Sequence, residues 1–366
     1  MARKLKSDRV LFLATILLVG LSTVMVYSAS AVMAMERYHQ PYLFLTKQAM
    51  WAVLGVAMMG VVMRFDYRMY RQRTFIWAAL ALVGLCLVAV LFSAPVNGAR
   101  RWFSVIGLGV QPSELAKLVG IIFLAESLER RMHRIDDVKY ALLPIGLVIV
   151  PLIGLILVEP DFGTSMSLVI IVAVMIFAAG LNYRYVVGAV LCSIPALYIV
   201  AMSTAYRRRR MLAFLNPWDD PLGSGFQVIQ SLIAVGTGGI RGKGLMNGVQ
   251  KLFYLPEPHT DFIYAVLAEE LGLIGATLLL VCFMVITWRG LRVALRAPDS
   301  FGAFLALGLT TMVAVQALIN ISVVLGLMPT KGIPLPFISS GGSSLLISLL
   351  GMGILLNVSQ HATAEA

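Results

Sequence analysis

The sequence predicts an all-α polytopic membrane protein of about ten transmembrane helices, with a large extracytoplasmic loop between the seventh and the eighth. Hydrophobic residues make up 59% of the chain and charged residues only 13%, and the mean hydropathy is +0.88. No water-soluble domain of this length has such a composition. Apolar windows of nearly the length that crosses about 30 Å of hydrocarbon recur along the whole chain. We therefore expect residues 1–366 to form a single integral membrane domain.

The apolar windows define the predicted spans. They lie at 10–33, 45–63, 74–93, 114–128, 141–158, 162–180, 185–203, 262–287, 302–326 and 337–357. The first follows a basic arm in the manner of a secretory signal peptide, but its length favours a helix that is retained. The fourth is the weakest, because Glu114, Lys117 and Glu126 interrupt it, and we expect it to be short or tilted. Small residues at 341–344 permit close helix approach at the start of the last span.

The distribution of Lys and Arg predicts the orientation of the spans. Sixteen basic residues lie in the amino-terminal arm and in alternate short connections: Arg3, Lys4, Lys6, Arg9, Arg64, Arg68, Arg71, Arg73, Arg130, Arg131, Arg134, Lys139, Arg184, Arg289, Arg292 and Arg296. By the positive-inside rule these connections and both termini are cytoplasmic. The net charge of +11 is thus scattered between spans, which favours contact with anionic lipid head groups and predicts no nucleic-acid partner.

The long extracytoplasmic loop, residues 204–260, carries basic residues on the outer side, against this bias. We interpret the run from Arg207 to Arg210 as a solvated or lipid-facing surface rather than a substrate site. Residues 226–235 are typical of an amphipathic helix, for which a re-entrant path is left open. The glycine-rich segment with Arg241 and Lys243 either offers backbone amides to a phosphate or is a flexible connection.

The stretch from Phe253 to Gly275 carries the strongest candidate for catalysis. Asp261 stands at a predicted helix start, where an Asp either caps the helix or exchanges protons at the lipid boundary. We favour the second role, because two prolines and His259 hold the chain rigid around it, which a cap does not need. His259 is a candidate second base or hydrogen-bond donor. Glu269 lies about 12 Å further along the helix beside Glu270, where acids persist only if they face partners, water or substrate.

Other charged groups are predicted near the outer ends of the spans. Glu114 and Lys117, spaced i, i+3, share one helix face and can pair. They form either a structural ion pair or one in which Glu114 keeps Lys117 ionised for an anion. Arg101 could clamp a phosphate, and Lys331, fixed between prolines, is better explained as an anion contact. Asp161 has the simpler interpretation of a helix cap.

Several of these segments occur in a characteristic order. They read RRW at 100–102, QPSELAK at 111–117, PDFGT at 160–164, LPEPHTDF at 255–262, PLPFIS at 334–339 and GGSS at 341–344. Together they resemble the SEDS family (shape, elongation, division and sporulation) over essentially all ten spans. TKG at 330–332 makes the chain more similar to the division branch than to the elongation branch. Two positions depart from the pattern: Ser340 stands where Tyr is usual, and Glu159, beside Asp161, where Gln is common.

The resemblance implies a peptidoglycan glycosyltransferase that polymerises lipid II, with the invariant acid of the family falling on Asp261. It also places the pair Glu114 and Lys117, and with them Arg101 and Lys331, at positions tied to activity. Asp261 is expected to act as general base on the 4-hydroxyl of the acceptor GlcNAc, which attacks the anomeric carbon of the lipid-linked growing glycan. The cations expected to stabilise the departing undecaprenyl pyrophosphate are Lys117, Arg101, Lys331 and Arg241 or Lys243. A divalent cation, Mg²⁺ or Mn²⁺, is left open as a cofactor.

The resemblance also implies partners and a location. Members of the family work with a class B penicillin-binding protein, a single-span transpeptidase, and with other divisome proteins in the bacterial cytoplasmic (inner) membrane. A lipid II flippase or transporter, an elongation-type glycosyltransferase and a noncatalytic scaffold are the alternatives. Transporters tend to have repeats and broken helices near the midplane, whereas the polar segments here concentrate at the outer ends, which favours the enzyme.

Overall fold

The computed structural model describes residues 7–94, 99–105, 108–185, 187–188, 191, 195, 202, 214–223, 225–330 and 332–362. The helices are α1 (Arg9–Tyr38), α2 (Leu43–Val62), α3 (Arg73–Val90), α4 (Pro112–Arg131), α5 (Leu143–Val158), α6 (Phe162–Ala178), α7 (Phe226–Gly238), α8 (Ile263–Leu295), α9 (Ser300–Val324) and α10 (Gly342–His361). A short antiparallel hairpin, β1 (Phe103–Val105) and β2 (Leu108–Val110), precedes α4. The predicted helical architecture is confirmed for the described residues.

Seven helical segments in the described part of the chain are long and apolar enough to cross a membrane. They are α1, α2, α3, the segment Val138–Val158 that contains α5, α8, α9 and α10. α6 is apolar but has only 17 residues, and α4 is more charged than the others. The predicted span at 185–203 lies largely outside the described residues.

α4 is buried in the bundle although its sequence is the most polar of the predicted spans. It is a full 20-residue helix, about 30 Å long at 1.5 Å per residue, which corrects the expectation that it is short. Every residue from Pro112 to Leu128 except Leu115 is buried. α4 packs against α3, α6 and α9, so its charged side chains meet protein rather than lipid.

α9 and α10 complete the centre of the bundle. Within their apolar windows 72% and 83% of the residues are buried, against 28% in α3, which turns one face outward. α10 also packs closely on α2. A Cβ added to Gly342 would lie 2.1 Å from Nε1 of Trp51, and one added to Gly55 would lie 2.5 Å from a side-chain carbon of Leu349. The close approach predicted for the small residues at the start of α10 is therefore present.

α8 is interrupted at Gly272, whose φ of 68° and ψ of −166° lie outside the helical region. The loop at 239–244 fills the break. Two of its amides donate to the carbonyls of Glu269 and Glu270, at 3.0 and 2.9 Å, and two of its carbonyls accept from the amides of residues 273–274, at 2.9 and 3.2 Å. Backbone groups that the break would otherwise leave unpaired are thus satisfied inside the protein, as a membrane protein requires.

Polar contacts gather at the two ends of the bundle. At one end, which we call the basic end, Arg289 pairs with Asp8 at 2.7 Å and Arg71 pairs with Glu129 at 2.9 Å. This end carries the arginine-rich connections that the sequence predicts to be cytoplasmic. The other end, which we call the site end, is built from the segments that precede α4, α6, α8 and α10. These segments hold the predicted site residues.

Candidate functional site

Asp261 lies at the site end, in the turn that leads into α8. The helix begins at Ile263, with Phe262 as its N-cap and no side-chain capping hydrogen bond, so the capping role does not fall on Asp261. The side chain is half-buried. Its carboxylate faces the backbone of Gly332, where an added Cβ would lie 3.0 Å from Oδ2. The neighbouring Lys331, a predicted anion contact, lies outside the described residues.

The backbone around Asp261 is fixed by Asn320 on α9. The side-chain Nδ2 of Asn320 donates to the carbonyl of Asp261 at 2.8 Å and to the carbonyl of Ile333 at 2.8 Å. A second tie comes from Ser339, whose hydroxyl donates to the carbonyl of Thr260 at 2.6 Å. One amide group and one hydroxyl therefore hold the turn before α8 against the segment before α10.

His259 is buried two residues before the candidate base. Only 6% of it is exposed, and its ring packs on Phe44 of α2 with the ring centroids 4.6 Å apart. Burial lowers the pKa of His259; nearby Glu257 opposes this and Arg37 adds to it. The imidazole is therefore neutral at neutral pH. Its Nδ1 is buried and has no hydrogen-bond partner within the described residues.

Glu114 and Lys117 form the predicted i, i+3 ion pair on the first turns of α4. The Lys117 Nζ lies 2.9 Å from Oε1 of Glu114, and the exposed fractions of the two side chains are 0% and 2%. Burial without solvent makes each charge depend on the other. The pairing half of the prediction is thus confirmed, while contact of Lys117 with an anion stays a prediction.

Arg101 holds the turn between α5 and α6. Its Nε donates to the carbonyl of Glu159 at 2.9 Å and its Nη2 donates to the carbonyl of Pro160. The next residue, Asp161, caps α6 by accepting from the amide of Thr164 at 3.1 Å, which confirms the simpler interpretation of that acid. Arg101 therefore has a structural contact in addition to any phosphate contact predicted for it.

The carboxyl of Glu159 is enclosed beside this turn. It is fully buried, and neither oxygen has a hydrogen-bond partner among the described residues. Burial raises the pKa of Glu159 to about 8, the charge of Asp161 adds to the rise and Arg101 opposes it. The group is thus mainly protonated at neutral pH, so the additional acid noted in the sequence adds little negative charge.

Glu269 and Glu270 have partners for all four of their carboxylate oxygens. Glu269 accepts from Lys243 Nζ at 2.7 Å and from the amides of residues 249–250 at 3.0 and 3.1 Å. Glu270 accepts from Lys251 Nζ at 2.5 Å, from the hydroxyl of Ser28, and from the amide of residue 246 at 3.0 Å. The expectation that this acidic pair persists by facing partners is confirmed. The two acids anchor the loop that precedes Asp261.

The remaining predicted cations differ in how they are engaged. Lys243 is occupied by Glu269 and its side chain is 32% exposed. Arg241 is exposed and makes no ion pair with the residues that the structure describes. No group of three or more His, Cys, Asp or Glu side chains that could hold a metal ion occurs among those residues.

The structure joins two of the predicted groups through Ile333. A Cβ added to Gly163, at the start of α6, would lie 2.5 Å from a side-chain carbon of Ile333, and the carbonyl of Ile333 is bound by Asn320, which also holds Asp261. The turn fixed by Arg101 and the turn carrying the candidate base are therefore neighbours. Sequence reasoning missed Asn320. Asn320 and Gln316 are the two side-chain amides inside the apolar window at 302–326, and a polar group in such a window is the signal that could have found it.

Comparison with known proteins gives consistent matches along the chain. The FtsW/RodA/SpoVE family model, described as a cell cycle protein, matches residues 8–364. A protein of Geobacter metallireducens named probable peptidoglycan glycosyltransferase FtsW is 45% identical over 357 residues, covering 96% of this chain and 94% of that protein. Stage V sporulation protein E of Bacillus subtilis is 43% identical, covering 98% of this chain and 99% of that protein.

Two solved structures have the same fold. A chain from a peptidoglycan synthase complex, solved to explain the structural coordination of polymerization and crosslinking, has a TM-score of 0.79 and 32% identity, covering 96% of this chain and 97% of that chain. The rod shape determining protein RodA of Thermus thermophilus has a TM-score of 0.72 and 27% identity, covering 98% of each chain.

Proposed function

The chain belongs to the FtsW/RodA/SpoVE family, and from this premise we propose that it polymerises lipid II as a peptidoglycan glycosyltransferase of cell division. The sequence similarity to proteins named probable peptidoglycan glycosyltransferase FtsW supports the activity. The observation in the structure that carries the proposal is Asp261: a half-buried carboxylate on a turn held by Asn320, at the end of the bundle opposite the arginine-rich connections.

The proposed reaction is a single displacement with inversion from α to β. The 4-hydroxyl of the acceptor GlcNAc attacks the anomeric carbon of the lipid-linked glycan, and its proton passes to the carboxylate of Asp261. The bond between the anomeric carbon and the phosphate oxygen breaks, and undecaprenyl pyrophosphate leaves. The fixed backbone around Asp261 supports this role, because general-base catalysis requires a carboxylate within hydrogen-bond reach of one hydroxyl.

Cations around the turn are proposed to stabilise the departing pyrophosphate. Lys331 is proposed because it directly precedes Gly332, whose backbone faces Asp261. Arg241 is proposed because its side chain is exposed. For Lys117 and Lys243, each paired with a glutamate, an approaching phosphate would have to share the ammonium with that partner. His259, neutral and with one ring nitrogen unpaired among the described residues, is proposed as a hydrogen-bond group for the sugar.

The membrane arrangement supports a reaction on the outer face. We propose ten spans with both termini cytoplasmic, in the bacterial inner membrane, which follows from the apolar windows and from the arginines of the basic end. The loop at 204–260 then lies outside, where it carries Lys243 and Lys251 to α8. We also propose that a class B penicillin-binding protein and other divisome proteins are the partners, because a polymer of lipid II needs a transpeptidase to crosslink it.

Polymerisation of labelled lipid II by the purified protein, alone and with its transpeptidase partner, tests the proposal. Asp261→Asn is expected to lower the rate of glycan formation by about 10²–10⁴-fold, the usual contribution of a positioned base. Glu257→Gln is the matched control, because Glu257 is an exposed acid in the same turn. Equal rates for the Asp261→Asn variant and the wild-type protein, with the partner present, would refute the role of Asp261.

A lipid II transporter is the second candidate, because the break in α8 is a feature found in transporters. In this chain the loop at 239–244 pairs with the backbone on both sides of the break, so the carbonyls of Glu269 and Glu270 are already engaged, which favours a structural role for the break. Movement of a labelled lipid II head group across vesicles distinguishes the two. Translocation that survives Asp261→Asn, without glycan polymer from the wild-type protein, would favour the transporter.

A further inference from the structure

A notch opens at the basic end of the bundle, between the first turns of α3 and α5 and the last turns of α4. Its volume is about 240 Å³. The residues that matter for the argument are Arg73, Trp77, Ser127, Arg130, Arg131 and Leu147, all of which line it. Arg131 lies fourteen residues beyond Lys117 on α4, about 21 Å along the axis. The notch is therefore separate from the candidate site for sugar transfer.

One part of the notch is positively charged. Arg130 is compensated by Glu126, at 2.8 Å, whereas Arg73 and Arg131 make no ion pair with the described residues. The hydroxyl of Ser127 is buried and has no hydrogen-bond partner within the same residues. Burying an unsatisfied hydroxyl is unfavourable, so this group points to a ligand atom. The lining holds three arginines against the one acid Glu126, so a net positive charge and an unused hydroxyl together favour an anion.

The other part of the notch is apolar and faces outward. Trp77 packs edge-on against Phe123, with ring centroids 6.2 Å apart, yet 56% of Trp77 is exposed. Leu147 on α5 is 68% exposed. A tryptophan one turn inside the arginines has the place that aromatic side chains take at a membrane interface. A ligand with a charged head and an apolar tail matches both parts, whereas free phosphate matches only the first.

We propose that this notch binds an anionic phospholipid from the leaflet at the basic end, which is the cytoplasmic leaflet in the proposed orientation. The phosphate lies between Arg73 and Arg131 and accepts from the hydroxyl of Ser127, and an acyl chain lies along Trp77 and Leu147. Basic pockets between transmembrane helices on the cytoplasmic side are a known form of head-group recognition. The amino-terminal end of α3, whose N-cap Gln72 makes no side-chain capping bond, adds a favourable dipole for an anion.

Native mass spectrometry of the intact protein in detergent tests the proposal, with phosphatidylglycerol as the probe and phosphatidylcholine as the zwitterionic comparison. The wild-type protein is expected to retain phosphatidylglycerol preferentially. The double variant Arg73→Gln/Arg131→Gln is expected to bind it about 25-fold more weakly, at roughly fivefold for each arginine near a lipid phosphate. Arg184→Gln, which removes an exposed arginine of another connection with the same predicted side, is expected to leave retention unchanged.

Three outcomes would overturn the proposal. Equal retention of phosphatidylcholine and phosphatidylglycerol would show that charge does not select the lipid. An equal loss in Arg184→Gln and in the double variant would show a diffuse charge effect instead of a site. Displacement of the lipid by sn-glycerol 3-phosphate at matched concentration would identify a site for soluble phosphates. A thermal unfolding midpoint measured for every variant ensures that the protein compared is folded.

Discussion

Asn320 is a side chain that holds the backbone of the candidate base directly. Its amide nitrogen serves two carbonyls, at Asp261 and Ile333, so the turn before α8 and the segment before α10 share one donor. Asn320 is 2% exposed, and its Oδ1 has no partner within the described residues. A buried oxygen without a partner is unfavourable. The two hydrogen bonds donated by Nδ2 are therefore the contribution that Asn320 makes to this site.

Replacement of Asn320 by Ala is expected to reduce catalysis more than substrate binding. Two buried carbonyls lose their donor, at a cost of about 1–3 kcal/mol each, and the carboxylate of Asp261 loses its fixed direction. The measurement is kcat and KM for lipid II polymerisation, together with the thermal unfolding midpoint. Thr310→Ala is the control on the same helix, because its hydroxyl donates to the carbonyl of Ala306 within that helix. A change in KM alone would contradict the positioning role.

Glu159 gives the fold a dependence on pH. Its pKa rises from 4.5 to about 8 in the folded protein, so between these values the unfolded chain has lost a proton that the folded chain keeps. Stability therefore falls as pH rises through this window, and the group contributes no further change with pH below 4.5 or above about 8. We expect Glu159→Gln to flatten the fall in unfolding midpoint between pH 5 and 8.

The slope with pH, rather than the midpoint itself, is the quantity to compare in this experiment, because a buried amide has bonding needs of its own. Glu257→Gln provides the comparison with an exposed acid of the same end of the bundle. Parallel slopes for the wild-type protein and Glu159→Gln would show that the carboxyl is ionised in the folded state.

At the scale of the element, α8 and the loop that fills its break form one unit. Gly272 has a backbone conformation that only glycine adopts readily. Gly242 has a φ of 78°, and a Cβ there would lie 2.1 Å from the carbonyl oxygen of Glu270. Close backbone approach at both glycines lets Lys243 and Lys251 reach the two glutamates.

Gly272→Ala is expected to lower the thermal unfolding midpoint of the protein. The new Cβ would lie 2.3 Å from the amide nitrogen of Gly242, and the strained conformation alone costs about 1–3 kcal/mol. Gly236→Ala on α7 is the matched control, because a Cβ there meets nothing within 4 Å and alanine favours a helix. A midpoint for Gly272→Ala equal to that of the control would mean that the loop does not depend on the break.

Hydropathy predicts the apolar, lipid-facing helices well and the polar helix at the centre of the bundle poorly. The windows for α1, α2 and α3 lie within a few residues of the observed helices, because lipid-facing spans must be continuously apolar. The polarity of α4 predicts a weak span, whereas in the structure it reflects burial among protein partners. The break at Gly272 lay beyond reach of a periodicity argument, since it is stabilised by a loop some thirty residues earlier in the chain.

For the whole molecule, the separation between the two ends is the feature that sequence reasoning described best. Arginines in alternate connections predict one basic end of the bundle. In the structure Arg71 and Arg289 lie at that end and form ion pairs. The proposed sugar transfer at the site end and the proposed lipid contact at the basic end are linked through α4, which carries Lys117 near one end and Arg131 at the other. The contacts that position Asp261 could not be predicted from the sequence, because they join residues that lie far apart in the chain.

The filled break in α8 also sets an order of assembly. On the ribosome the loop emerges before Glu269 and Glu270, and Ser28, which completes the shell around Glu270, emerges long before either. Lys243 and Lys251 consequently have no carboxylate partners until α8 has been synthesised and has packed against α1. A nascent chain arrested before residue 269 would therefore carry two ammonium groups without the acids that pair with them in the folded protein.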